Sequence, residues 1–247
     1  MTAEEAWAEQ LAAWAIPEEI RSQASDDPWK LSPNLLPPPG AAGPDADDSP
    51  SRLRALEALG DGGTVVDVGV GAGAASLPLA PPATQITGVD ENPEMLDAFK
   101  AHAAERGVAV KTFPGAWNDV ARAVPVADVV VCHHVFYNVP DLRPFAQALT
   151  AHARRRVVVE LGARHPVAGS NPLWKHFWDL DRPEGPTADD AVAVLEEAGI
   201  EPTVERAVRP RVRRADPEVW AAFLARRLCL PPERLPEVKE AMARWPE

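Results

Sequence analysis

The sequence predicts an α/β fold in which a mostly parallel sheet is doubly wound by helices, with a helical cap before it and a helical tail after it. Three observations carry that expectation. Five short β-branched runs, at 64–68, 85–89, 108–113, 127–132 and 156–161, are nearly continuous in apolar residues, as strands buried on both faces are. Stretches of helical length separate them, the alternation that builds parallel sheets. A glycine-rich turn follows the first run directly, a place where backbone closely approaches a ligand in such folds.

The elements follow in order. Trp7, Leu11, Trp14 and Ala15 recur at helical spacing, so 3–15 reads as an amphipathic helix that Pro17 interrupts, and a second short helix covers 18–23. Between 26 and 48 the composition shifts to Pro, Gly, Ala and Asp, which propagate neither helix nor sheet hydrogen bonds, so a linker or flap is expected. Ser49 with Pro50 is an N-cap followed by proline at the first helical position, and Leu53, Leu56 and Leu59 line one face before Gly60 stops the helix. Further helices are expected at 93–106, loosely at 120–124, at 142–153, and at 188–198 with Thr187 as N-cap. The run 203–208 is a candidate sixth strand. Asp216-Pro217 opens a helix through Leu228, and 233–244 continues as another. The expected organisation is a cap and linker over 1–48, a ligand-binding domain over 49–215 and a helical extension over 216–247.

A chain of 247 residues with 46% hydrophobic and 25% charged side chains buries a substantial core without disulfides, which excludes wholesale disorder. Its 25 basic and 37 acidic residues leave a net charge of −12, which repels phosphate backbones and anionic membranes. Cys132 and Cys229 are too few for a disulfide framework and lack zinc-site spacing. The N-terminus has acidic residues where a signal peptide carries basic ones, and no apolar run approaches the ~18 residues of a membrane span. A soluble, cytoplasmic protein is the expectation.

The strongest local signal is Asp67-Val68-Gly69-Val70-Gly71-Ala72-Gly73 at the end of the first strand. Gly69, Gly71 and Ala74 also satisfy the dinucleotide pattern, in which a helix N-terminus receives a pyrophosphate. A carboxylate at Asp67 opposes a diphosphate and suits an amine-bearing ligand. The second strand ends at Asp90, placed to accept both hydroxyls of a ribose in either kind of nucleoside site.

With these residues the chain resembles the class I S-adenosylmethionine-dependent methyltransferases, whose fold is Rossmann-like. Asp67-x-Gly69-x-Gly71-x-Gly73 matches their first motif. Gly88-Val89-Asp90-Glu91-Asn92 is similar to their second-strand motif, and the stretch from Ala127 to Asp141 to their fourth. The resemblance covers about 50–165 and implies S-adenosylmethionine as cofactor. It implies that Gly69, Gly71 and Gly73 border the methionine part, with Asp90 at the ribose, Glu91 at the adenine edge and His133 on the methionine side. The third-strand motif departs from the family, with Gly115-Ala116-Trp117 where Gly-Asp is usual. Ala116 and Trp117 then take the adenine position, Trp117 either packing on the adenine face or serving as a core tryptophan. The final antiparallel hairpin of the family also has no counterpart after Val208. The run from His165 through Trp174 and Phe177-Trp178 to Arg182–Thr187 resembles actinobacterial members of this superfamily.

Methyl transfer is an in-line displacement, so alignment and desolvation supply most of the acceleration, and a base serves only a protonated acceptor. Candidates at the carboxyl ends of strands four and five are His133, His134, Tyr137, Glu160 and His165, with His134 and Tyr137 first and Asp141 as an orienting partner. A histidine after a buried strand is more often a hydrogen-bonded structural residue than a base. No carboxylate or cysteine spacing supports a metal site. The clusters Arg154-Arg155-Arg156 and Arg209, Arg211, Arg213-Arg214 lack interleaved aromatics and read as solvated edges, so nucleic acid is disfavoured as a partner.

The expected function is methyl transfer to a small-molecule acceptor. The alternatives are a nicotinamide-dependent oxidoreductase, a catalytically silent S-adenosylmethionine-binding protein and an RNA methyltransferase. The first lacks a Tyr-x-x-x-Lys pair, since Asp141 stands where that lysine would be. The N-terminal tryptophans Trp7, Trp14 and Trp29 must cover something: the crevice above the strand ends as a lid, the outer face of the sheet, or a second copy in a dimer.

Overall fold

The computed structural model describes residues 1–35, 49–208 and 216–244. Five strands form one sheet: β1 (Gly63–Val68), β2 (Ala83–Asp90), β3 (Val110–Pro114), β4 (Ala127–His133) and β5 (Ala153–Glu160). Their order is β3-β2-β1-β4-β5 and every neighbouring pair is parallel. The order reverses between β1 and β4, which opens a crevice at their carboxyl ends.

The apolar continuity of the strands reflects two cores. Val65, Ile86, Val129 and Val131 face one side with Leu59, Leu77 and Phe99. Val66, Val68, Val89, Val130 and Cys132 face the other with Trp117, Phe136 and Phe145. Successive side chains point to opposite faces, so both faces must be covered and the central positions of β1 and β4 are nearly all apolar.

The helices are α1 (Ala3–Ala12), α2 (Glu18–Arg21), α3 (Pro50–Leu59), α4 (Pro93–Glu105), α5 (Trp117–Val120), α6 (Leu142–Ala151), α7 (Asn171–Trp178), α8 (Ala188–Glu197), α9 (Pro217–Arg227) and α10 (Leu235–Arg244). Their starts are set by caps. Thr2 with Glu5, and Thr187 with Asp190, form capping boxes, while Ser49, Asn92 and Asp216 each accept a backbone N–H of the first turn. Asp141 occupies the N-cap position of α6 without a side-chain cap bond.

The candidate strand at 203–208 is not one. That segment has no regular structure, Val204 is 48% and Val208 99% exposed, and Arg54 pairs with Glu205 at 2.6 Å. Its β-branched residues have no face to bury, and propensity without burial does not make a strand. The described sheet therefore has five strands rather than six. The helix α7 was not anticipated from the aromatic-rich run that forms it.

The N-terminal segment divides its side chains between two cores. The helix α1 docks on α8, with the Ala3 N–H donating to Glu197 Oε2 at 2.7 Å and Arg143 meeting Glu4 at 2.8 Å. Beneath it Trp7 is fully buried in the main core. Further along, Ile16, Ile20 and Leu35 join Leu173 and Trp174 of α7, Phe223 and Leu224 of α9, Leu228 just after it and Val238 of α10 in a third cluster. Residues 36–48, the body of the expected linker, lie outside the described residues.

Candidate functional site

The strand β1 runs into Gly69, Gly71 and Gly73, at φ of 72°, 51° and 89°. Three left-handed residues in five positions demand glycine. The Gly69 and Val70 N–H groups both donate to the Val89 carbonyl, at 2.8 and 3.0 Å, so the turn folds back onto the end of β2. A Cβ on Gly69 would stand 2.3 Å from Val135 Cγ2. The turn then leads only to a short 3-10 turn at Leu77–Leu79, and no α-helix opens there. The helix N-terminus that a pyrophosphate requires is missing, which disfavours the nicotinamide alternative.

Asp67 lies at the floor of this turn, 1% exposed, and neither carboxylate oxygen has a hydrogen-bond partner. Burial pushes its carboxyl up to about 7; the nearby Ser76 hydroxyl opposes the rise and the Asp90 charge adds to it. A carboxylate buried with both oxygens unspent calls for a donor-rich cation. At the end of β2, Asp90 accepts from the Gly71 N–H at 2.8 Å and the Asn92 N–H at 2.9 Å, one bond on each oxygen. Lone pairs remain on both for ligand hydroxyls.

Beside Asp90 opens a cleft of about 130 Å³, lined by Glu91 after β2, Ala116, Trp117 and Asn118 after β3, and residues 138–141 after β4. The structure thus brings Glu91, Ala116 and Trp117 together. Trp117 is largely a core residue, 3% exposed and edge-on to His152 at 4.8 Å, with only part of its surface on the cleft and its Nε1 without a partner. Asn118 is a polar group there that the sequence reading passed over; its place one residue beyond the departed motif was the available signal.

At the ends of β4 and β5 three groups meet. Glu160 faces His133 across the strand pair, with Oε2 3.9 Å from His133 Nδ1 and Oε1 3.3 Å from His134 Nε2. The Ser51 hydroxyl at the start of α3 donates to Glu160 Oε2. His134 adopts φ 61°, and its side chain is 56% exposed, with Nε2 beside Glu160 at the end of β5. A non-glycine residue held in this region is a strained position that its surroundings must enforce. Its backbone N–H donates to the Glu160 carbonyl at 2.7 Å.

Two expectations change here. Asp141 is exposed and is not placed with His134; Glu160 is the carboxylate that is. Tyr137 is 4% exposed, donates its hydroxyl to the Gly162 carbonyl at 2.6 Å and stacks on Trp7 at 5.7 Å. Burial, then the Asp190 and Asp189 charges, push its hydroxyl up to about 12, so it keeps its proton and holds the loop after β5 in place. His165 stacks on Trp14 at 4.1 Å and meets Tyr137 edge-on. Burial, Arg227 and Arg182 lower it to about 4, so it is neutral.

Arg154 and Arg155 face Asp128 at 3.9 and 3.5 Å and Arg156 pairs with Glu57 at 2.7 Å, while Arg209, Arg211, Arg213 and Arg214 lie outside the described residues. Among the described residues, no group of three or more His, Cys, Asp or Glu is placed to hold a metal ion, and no helix is long and apolar enough to cross a membrane.

Residues 65–156 match a family described as a methyltransferase domain. The chain is 38% identical over 111 residues to the ubiquinone biosynthesis O-methyltransferase of Methylobacterium sp. (strain 4-46), covering 43% of this chain and 45% of that protein. It is 35% identical over 145 residues to the enzyme of the same name from Methylobacterium nodulans, covering 53% and 56%. The chain thus spans about half the length of the curated relatives it matches. Among solved structures, magnesium protoporphyrin IX methyltransferase from Synechocystis PCC 6803 superposes with a TM-score of 0.52 at 20% identity, over 68% of this chain and 78% of that one. That likeness concerns the fold.

Proposed function

We propose, from the premise that the chain carries a class I S-adenosylmethionine-dependent methyltransferase domain, that the protein transfers a methyl group to an oxygen of a small-molecule acceptor. The observation that carries the reading is Asp67, whose two buried oxygens have no partner beneath a glycine turn whose Gly71 N–H is held by a second acid, Asp90. An ammonium satisfies that carboxylate, a diol satisfies Asp90, and a flat base fits beside Glu91, Ala116 and Trp117. His133 and the backbone of Gly69, Gly71 and Gly73 border the methionine side.

When bound, S-adenosylmethionine supplies an electrophilic methyl group on a sulfonium sulfur. The chain's own task is to align an acceptor and take its proton. His134 projects from the end of β4 with Glu160 3.3 Å from its Nε2, and the Ser51 hydroxyl holds that carboxylate in turn. His134 serves as the base for an acceptor hydroxyl, with Glu160 as a positioning residue. Tyr137 positions the loop after β5 through its bond to Gly162 and does not exchange a proton. The oxygen acceptor is the choice favoured by the O-methyltransferase names of the relatives. The cytoplasm is the compartment that supplies this donor.

The test is turnover of labelled S-adenosylmethionine with a panel of phenols, alcohols and amines. A hydroxylated acceptor is expected to be labelled, and His134→Ala to lower turnover by about 10²- to 10⁴-fold with adenosylhomocysteine affinity unchanged. Labelling of amines only, or full turnover in His134→Ala, would refute the oxygen acceptor or the base respectively.

A further inference from the structure

We propose that Arg227 anchors the carboxylate of a small organic acid in a subsite built by the helical cap, between the aromatic rings of Trp29 and Phe223. The starting point is an unspent guanidinium. Arg227 ends α9, half-buried, with its guanidinium carbon 4.2 Å from the Trp29 ring centre and 5.9 Å from that of Phe223. Among the described residues it makes no hydrogen bond and no ion pair, whereas a guanidinium carries five donors in a planar fork.

Its surroundings add positive charge. Burial, then Arg182 and Arg226, push Arg227 down to about 10, and among the described residues Asp27 alone opposes them, from beyond ion-pair distance. Arg182 donates to the carbonyls of Trp14 and Ala15, and Arg226 to that of Lys30, yet Nε of each is buried without a partner. His165, lowered by burial and then by Arg227 and Arg182, is neutral and supplies no negative charge. In a chain of net charge −12, three guanidiniums are thus gathered, and among the described residues no carboxylate pairs with Arg227. Such an arrangement is costly unless an anion completes it, and the fork of Arg227 matches the two oxygens of a carboxylate. The flanking rings give the organic body of the acid an apolar wall, which inorganic phosphate would not use.

The subsite is tied to the same end of the sheet as the glycine turn. Next to Trp29, Lys30 pairs with Glu94 at 3.2 Å and the Leu31 carbonyl accepts from Asn92 Nδ2 at 3.1 Å, both just beyond the end of β2. On the other side Arg182 lies over the Trp14 ring, which stacks on His165 beyond β5. The cluster therefore bridges the carboxyl ends of β2 and β5. That the acid is the methyl acceptor rests on the function proposed above; that the site takes a carboxylate does not.

The experiment is calorimetric titration of the full chain with benzoate, benzamide and inorganic phosphate, each with and without adenosylhomocysteine. Benzoate is expected to bind at least tenfold more tightly than benzamide or phosphate, Arg227→Met to weaken benzoate at least tenfold, and Arg227→Lys to retain part of the affinity. Without ligand, Arg227→Met should melt at the wild-type temperature or above, since it removes an unpaired charge. Absence of benzoate binding, equal binding of benzamide, tighter binding of phosphate, or undiminished binding in Arg227→Met would each overturn the proposal. Should Arg227→Met fail to fold, the wild-type comparison of benzoate with benzamide decides. Benzoate binding without adenosylhomocysteine binding would uphold the subsite and sink the methyltransferase reading; the converse would sink the subsite alone.

Discussion

Asp67 and His165 titrate in opposite senses, and their difference is measurable. Asp67 is raised to about 7 in the folded chain from about 3.9 in an unfolded one. Between those values the native state binds the extra proton, so this residue's contribution falls as pH rises through the window, by up to a few kcal/mol. His165 is lowered to about 4 from about 6.5, so its contribution is complete above pH 6.5 and is lost as pH falls toward 4. Between pH 4 and 6.5 the two oppose each other. Relative to wild type, denaturant titrations should show Asp67→Asn gaining stability with rising pH and His165→Gln losing it; parallel profiles for all three proteins would remove both assignments. The same carboxylate links ligand to pH. Adenosylhomocysteine affinity is expected to strengthen from pH 6 to 8 in wild type and to be flat in Asp67→Asn, read by calorimetry at each pH.

The glycine turn and α1 make separate claims at the scale of elements. Gly69→Ala places a Cβ 2.3 Å from Val135 Cγ2 at a φ of 72°, so it should cost at least ~1 kcal/mol of stability and abolish adenosylhomocysteine binding. An intact ligand titration in that variant would show that the turn does not border the ligand. Trp7 carries α1 onto the core, and its Nε1 donates to the Val139 carbonyl at 2.8 Å. Trp7→Ala should lose about 3 to 5 kcal/mol in denaturant unfolding, while Trp7→Phe keeps most of the area and loses about 1 to 3 kcal/mol through the orphaned carbonyl. The sequence made the five strands legible because a doubly covered sheet forces apolar residues onto both faces, and it made the caps of α3 and α8 legible because capping is local. The positions of Asp67, Asp90 and Glu91 at strand ends beside a glycine turn were legible for the same reason. The partnership of His134 with Glu160, the structural post of Tyr137 and the convergence of Arg182 with Arg227 were not. Each depends on side chains 25 or more residues apart meeting across loops, and nothing in local spacing encodes that.

For the whole molecule, the three segments around Ile16, Trp174 and Leu228 share one core, so the cap is assembled from both ends of the chain and the loop after β5. The helix α1 lies in the outer layer on α8, whereas the stretch from Asp27 to Leu35 is tied to Asn92 and Glu94 over the end of β2. Ligand binding is therefore expected to slow hydrogen exchange in 27–35 and to leave α1 unchanged; equal effects on both, or none, would separate the cap from the site. Deleting the first 35 residues should expose both the Trp7 socket and the third core, and broaden unfolding rather than leave a stable remainder. The central claim is that Asp67, the glycine turn and Asp90 hold S-adenosylmethionine, and calorimetric titration with adenosylhomocysteine and with NAD, on wild type and Asp90→Ala, tests it most directly. Adenosylhomocysteine is expected to bind wild type, more weakly in Asp90→Ala through the loss of charge-assisted bonds worth roughly 1.5 to 3 kcal/mol each, and NAD is expected not to bind. Binding of NAD without adenosylhomocysteine, or an Asp90→Ala variant with wild-type affinity, would contradict it.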